Sequence, residues 1–182
     1  MTKFLFVRHG EPDYSSVGEW SRIPMGTNFA GLTERGVEQI KNCCKELAEY
    51  PIDLIISSPY TRALQGAAIM ARELNVDVVV ERDLHEWQAD LTYSITDSDA
   101  LLELCHEHDS MNGAYPHGEK KMWESSEIVR NRVMNCLNRY LDKNYVVVAG
   151  HAIMMQSVFG INEPLEYGDI KILEVNEYYD GI

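Results

Sequence analysis

The chain has 182 residues, 45% apolar and 25% charged, an ordinary globular balance that predicts one compact domain over 1–182. Its formal net charge of −13 argues against a nucleic-acid partner and repels phosphorylated ligands at long range, so any phosphate site must be a local positive pocket. No stretch approaches the roughly 20 continuous apolar residues that span a bilayer. The apolar run ending at Val7 is too short for a secretory signal. A cytoplasmic protein with no membrane partner is expected. Cys43 and Cys44 are adjacent, which suits a mutual disulfide poorly, and no CxxC pair supports zinc. Free thiols are expected at both, and at Cys105 and Cys136.

Lys3 to Val7 predicts a short buried strand. Gly10 to Gly31 is polar and rich in turn residues, so it predicts a long loop of the kind that often carries function. Thr33 starts a helix to about Tyr50, with Val37, Ile40, Cys44, Leu47 and Ala48 on one face and Pro51 beyond. Leu54 to Ser57 predicts a second strand. Ser58-Pro59 reads as the next helix start, with Ser58 as N-cap and Pro59 at the first helical position. That helix carries Ala63, Leu64, Ala67, Ala68, Ala71 and Leu74 along one side. Val76 to Val80 predicts a third strand.

From Trp87 to Lys121 the pattern is less regular, with a short helix over 99–108 and turns at Asn112-Gly113 and His117-Gly118. A long helix follows, its stripe running from Ile128 to Leu141. Tyr145 to Ala149 predicts a fourth buried strand. Ala152 to Phe159 predicts a helix closed by Gly160, and 169–175 an edge strand. Alternating strands and helices imply an α/β fold with a mostly parallel sheet, and such folds bind ligands beyond the carboxyl ends of their strands.

Those strand ends carry chemistry. Arg8-His9 follows the first, Ser57 to Arg62 the second, Leu84-His85-Glu86 the third and Gly150-His151 the fourth. A parallel sheet would gather two arginines, at least two histidines and a carboxylate on one rim. Arginine grips phosphate in a planar fork. One histidine can attack phosphorus and another stabilise the charge that develops. A carboxylic acid can protonate a leaving alcohol and then deprotonate water. The helix after His151 offers free amides, Ala152 first among them.

Arg8-His9-Gly10-Glu11 resembles the signature of the histidine phosphatase superfamily, which includes the cofactor-dependent phosphoglycerate mutases. Leu32-Thr33-Glu34-Arg35-Gly36 is similar to its Leu-Thr-x-x-Gly helix start, and Ser57 to Ala63 to its Ser-Ser-Pro-x-x-Arg-Ala segment. Gly150-His151 after a Val-rich strand and Pro116-His117-Gly118-Glu119 complete the ordered set, covering residues 4 to about 155. The resemblance implies a three-layer α/β/α sandwich with a mixed sheet. It also implies His9 as phosphorylated nucleophile, Arg8, Arg62 and His151 as phosphoryl ligands, and Glu86 as proton donor. Neither metal nor organic cofactor is implied for a phosphatase. Pro12 and Ser15 stand where the family often has Thr and Asn; Ser15 retains a hydroxyl that can donate to phosphate. Gly66 and Ala152 replace a common Thr and Gly.

The expected reaction is hydrolysis of a small phosphorylated substrate. The alternatives are a phosphoglycerate mutase, for which the roughly thirty residues between Trp87 and Gly118 are short, and a non-catalytic phosphate-binding domain. His85 competes with Glu86 for the rim. His106, Glu107 and His108 read as a solvated helix end, and His117 as a surface turn. Trp20, Trp87 and Trp123 either line the pocket mouth or pack.

Overall fold

The computed structural model describes residues 1–22 and 24–181; Ile23, which falls in the expected loop, and Ile182 lie outside the described residues. In chain order the elements are β1 (Thr2–Arg8), β2 (Pro12–Asp13), β3 (Gly31–Leu32), α1 (Glu34–Leu47), β4 (Leu54–Ser57), α2 (Thr61–Leu74), β5 (Val78–Val80), α3 (Ser98–Ser110), α4 (Ser126–Leu137), β6 (Tyr145–Gly150), α5 (Ala152–Phe159) and β7 (Ile170–Val175).

The main sheet has the order β5-β4-β6-β1-β7. β5, β4, β6 and β1 are parallel, while β7 runs antiparallel to β1 at the edge. Parallel central strands are covered on both faces, and the side chains of β1 show why this one is apolar throughout. Phe4 and Phe6 point into one core with Val146, Val148, Val133 and Met154. Leu5 and Val7 point into the other with Ile40, Leu47, Ala67 and Val147. α1 and α2 therefore cover one face and α4 and α5 the other, giving the expected three layers.

The expected strands at 54–57 and 145–149 form, the second one residue longer, and the helix at 152–159 closes at Gly160 in the left-handed region, as expected. Thr33 caps α1, its Oγ1 accepting from the Gly36 amide at 2.9 Å. Three expectations change. The segment after Gly10 is not a structureless loop: β2 pairs with β3, and 3-10 turns cover Tyr14–Arg22 and Pro24–Phe29. α2 begins at Thr61 with Tyr60 in the cap position, two residues after the expected cap; the Ser58 hydroxyl accepts from the Tyr60 amide (3.2 Å) and also meets His151 Nε2. β5 is shorter than expected and half exposed, with Val80 at 50%; its β-branched residues sit at a sheet edge. Ala68 and Ile128 also face solvent rather than the core.

Candidate active site

Register fixes the rim. β1 and β6 end side by side with Arg8 opposite Gly150, and β4 ends with Ser57 opposite Ala149. The His9 amide donates to the Gly150 carbonyl (3.0 Å) and the Ser58 amide to that of Ala149 (2.9 Å), so three strand ends are bound together just where the motifs begin.

The two glycine motifs meet in space. A Cβ on Gly10 would lie 2.2 Å from the Gly36 carbonyl oxygen, and one on Gly36 would lie 2.3 Å from that of Glu11. Only glycine at both positions lets the start of α1 rest against the backbone that follows His9. Glu11 ties the same contact. Its carbonyl accepts from the Thr33 amide, its carboxylate from Thr33 Oγ1 (2.8 Å), and its amide donates to Gln39 Oε1 (2.8 Å).

His9 is 6% exposed. Its Nδ1 lies 2.7 Å from the Gly10 carbonyl oxygen, an acceptor, so Nδ1 carries the proton and Nε2 presents a lone pair. Arg62 Nε donates to that lone pair at 3.1 Å. Burial, with the Arg62 and Arg8 charges adding to it, pulls the imidazole down from its ordinary 6.5 to about 3. A neutral, oriented ring with an available nitrogen is the form a nucleophile needs.

His151 is fully buried at the head of α5, its ring edge-on to His9 with centroids 5.2 Å apart. Its Nε2 is 2.7 Å from Ser58 Oγ, and Nδ1 has no partner among the described residues. Burial first, then the charge of Arg62, holds it well below the ordinary histidine range. Ser58 thus orients a site histidine while its hydroxyl also holds the turn before α2 through the Tyr60 amide.

Glu86 sits across from this pair at the same helix start. Its Oε1 accepts from the amides of Trp87 (2.9 Å) and Met154 (2.9 Å); Oε2 accepts from Ile153 alone, at 3.3 Å. A carboxylate at a helix N-terminus is well placed electrostatically, and Oε2 retains the greater capacity to act on a ligand. The capped amides are those of Ile153 and Met154, which leaves Ala152 as the amide offered to an anion.

Two residues without any sequence motif hold Glu86 in place. Arg132, on α4, pairs bidentately with Glu124, Nε to Oε1 at 2.9 Å and Nη2 to Oε2 at 3.0 Å. The same guanidinium donates to the carbonyls of Asp83, His85 (2.9 Å) and Glu86 (3.3 Å), while Glu124 Oε2 accepts from the Gln88 amide (2.9 Å). Their side chains are 13% and 4% exposed. The segment 83–88 is therefore clamped through its backbone.

Arg8 lies at the rim but directs its guanidinium to the Leu165 carbonyl and over the Tyr167 ring, 4.1 Å from its centroid. Tyr167 also lies 5.7 Å from the His9 ring, a neighbour no motif announces. Ser15 is exposed, and both its amide and its hydroxyl donate to Asp13 Oδ1. His85 packs beside Tyr60 at 6.2 Å, with Nδ1 on the Glu86 carbonyl (2.7 Å). His117 and His106 are exposed. His108 is not part of a solvated face: it is buried between Trp87 and Trp123, while Glu107 accepts from the Trp123 indole. Trp123 packs in the core and Trp20 is exposed against Phe29. No group of three or more potential metal ligands occurs among the described residues, and no described helix is long and apolar enough to cross a membrane.

A cavity of about 260 Å³ opens beside the converged residues, lined by Arg62, Glu86, Tyr60 and Trp87 among others. A larger cleft of about 640 Å³ lies around His108, Ser126 and Gly160, and none of His9, Arg62, Glu86 or His151 lines it. The chemistry selects the smaller one.

Phosphoserine phosphatase 1 of Hydrogenobacter thermophilus is 29% identical over 168 residues, 87% of this chain and 75% of that one. A 2,3-bisphosphoglycerate-dependent phosphoglycerate mutase of Thermoplasma acidophilum is 37% identical over 82 residues, 45% of this chain and 40% of its own length. Among solved structures, Bacillus stearothermophilus YhfR superposes with a TM-score of 0.73 at 19% identity, covering 98% of this chain and 93% of that one. The mycobacterial glucosyl-3-phosphoglycerate phosphatase gives 0.70 at 17%, covering 96% and 90%. Residues 4–175 match the histidine phosphatase superfamily (branch 1), and the chain belongs to that family.

Proposed function

We propose that the protein is a phosphomonoester hydrolase that works through a phosphohistidine on His9, acting in the cytoplasm on a small phosphorylated substrate. The observation that carries this reading is the 2.7 Å approach of His9 Nδ1 to the Gly10 carbonyl oxygen, which assigns the proton to Nδ1 and leaves the Nε2 lone pair facing Arg62.

The steps follow from the surrounding groups. A phosphoryl group entering the rim takes over the guanidinium of Arg62, which releases Nε2. The Ala152 amide and His151 Nδ1 supply further donors, the latter once it carries a proton, and Arg8 adds its charge and joins them when its guanidinium turns from the Leu165 carbonyl; a bound dianion favours the charged imidazole. Ser15, held by Asp13 at the edge, joins them only if that turn opens. Nε2 attacks phosphorus in line, forming the N–P bond as the bond to the leaving oxygen breaks. Glu86 Oε2 gives that oxygen its proton. Water then gives a proton back to Glu86 and attacks phosphorus. The N–P bond breaks, releasing phosphate and neutral His9.

Water is favoured as the second acceptor over a phosphoglycerate because Arg62 is the one cation among the described residues that line the cavity beside Glu86. The relative that aligns over most of the chain is a phosphatase, whereas the mutase aligns over less than half. The test is p-nitrophenyl phosphate and a panel of phosphorylated metabolites without added metal, beside His9→Ala. Phosphate release that the variant lacks supports the reading. Interconversion of phosphoglycerates primed by a bisphosphate would replace it with a mutase, and inertness toward every substrate with a non-catalytic domain.

A further inference from the structure

The cavity beside Glu86 defines where the leaving alcohol goes. It is bounded by the two groups that handle the ester, Arg62 and Glu86, and walled in part by Tyr60, Trp87, Ala89, Ile95, Leu101 and Cys105. Apart from Arg62, the described residues lining it carry no cation. Arg62 is already committed to the phosphoryl group. The carboxylate of Asp90 faces the same space but is spent: Oδ1 accepts from the Thr92 amide (2.8 Å) and hydroxyl (2.5 Å), and Oδ2 from the Ile95 amide (2.8 Å). Those bonds fix the turn that sets Ile95 on the wall. The remaining polar groups on the lining, among them Asn28, Tyr93 and Thr96, are uncharged. The Tyr60 hydroxyl and Gln88 Nε2 bond each other, and burial raises both the Tyr60 phenol and the Cys105 thiol, which keeps them uncharged.

Resting on the hydrolase reading, we infer that the substrate is a phosphate monoester of an uncharged, largely apolar alcohol that carries one ring system or a branched chain of that size. Size and polarity both enter. An apolar cavity of about 150 Å³ holds benzene, so about 260 Å³ admits one substituted ring. A carboxylate on the alcohol would leave water for a wall whose described residues offer it no cation besides Arg62 and set the Asp90 carboxylate near it, at a cost that an apolar group avoids. Phosphoserine and 3-phosphoglycerate are thereby disfavoured, although relatives and structural neighbours bear names of that kind.

The test compares kcat/KM of the intact protein for benzyl phosphate, O-phosphoserine and 3-phosphoglycerate, whose leaving groups are all aliphatic, so intrinsic reactivity does not set the order. Benzyl phosphate is expected to be preferred roughly a hundredfold or more. Equal or better turnover of either charged ester overturns the inference while leaving the hydrolase reading in place. Inertness toward all three and toward p-nitrophenyl phosphate overturns both. Leu101→Lys, on the half-buried wall of α3, places a cation in the cavity. It should narrow the preference for benzyl phosphate over 3-phosphoglycerate by about tenfold or more; an unchanged ratio in a folded variant means that the leaving group lies elsewhere.

Discussion

Acid should unfold this protein partly through its nucleophile. His9 is neutral in the folded state down to about pH 3, whereas the unfolded chain takes up a proton near 6.5. Between those values the unfolded state holds a proton that the folded state refuses, so stability is full above 6.5 and falls with pH toward 3. Each pH unit in that window costs about 1.4 kcal/mol. At about pH 4.5, two units below the unfolded value, the loss from His9 is roughly 3 kcal/mol. For a chain of this length that is roughly 6–12 °C in Tm. The assay is thermal or urea unfolding of the wild type and of His9→Gln, each at about pH 7 and pH 4.5. Glutamine has no proton to take up, and the carboxylates common to both proteins cancel in the comparison. The wild type should lose about 3 kcal/mol more than the variant across the interval. An equal loss in both would mean that His9 is solvated and protonates freely, and the buried-nucleophile argument would fail.

Glu86→Gln keeps an oxygen to accept from the α5 amides but has no proton to give. We expect kcat for benzyl phosphate to fall about 10²–10⁴-fold and kcat for p-nitrophenyl phosphate, whose leaving group needs no acid, to fall much less; equal falls would remove the donor role. Arg132→Met leaves Glu124 buried without its partner, which should cost about 3–5 kcal/mol. With segment 83–88 released, kcat for benzyl phosphate should drop further than that for p-nitrophenyl phosphate, and calorimetry beside the kinetics separates the two effects. Gly10→Ala drives a methyl into the Gly36 backbone and should destabilise by at least about 1–3 kcal/mol, measured by urea unfolding.

Strand and helix identity was legible where one rule dominated. β1 from Phe4 to Val7 and β6 are continuous apolar runs, and α5 ends on a glycine that adopts the left-handed conformation its position demands. The rim was legible for the same reason, since parallel strands put the residues after each of them together, as His9, Ser58 and His151 show. Side-chain choices were less so. Ser58-Pro59 has the composition of a helix start, but the helix begins three residues after Ser58, whose hydroxyl also serves a histidine 93 residues later. Arg132 and Glu124 look like ordinary helix and loop charges; only the fold brings the 83–88 carbonyls to them. Tyr167 lies in a connection without pattern, yet the antiparallel return of β7 beside β1 carries it under Arg8. Such partners are set by long-range topology, which local periodicity does not encode.

The covalent intermediate is the central claim. The wild type and His9→Ala would be mixed with benzyl phosphate and quenched within a turnover, under base to protect a phosphoramidate bond, and then analysed by intact mass and peptide mapping. The account predicts one added phosphoryl group, lost on acid treatment, located on the peptide that contains His9 and absent from the variant. Steady hydrolysis with no phosphorylated His9, or with the phosphoryl group on another residue, would contradict it.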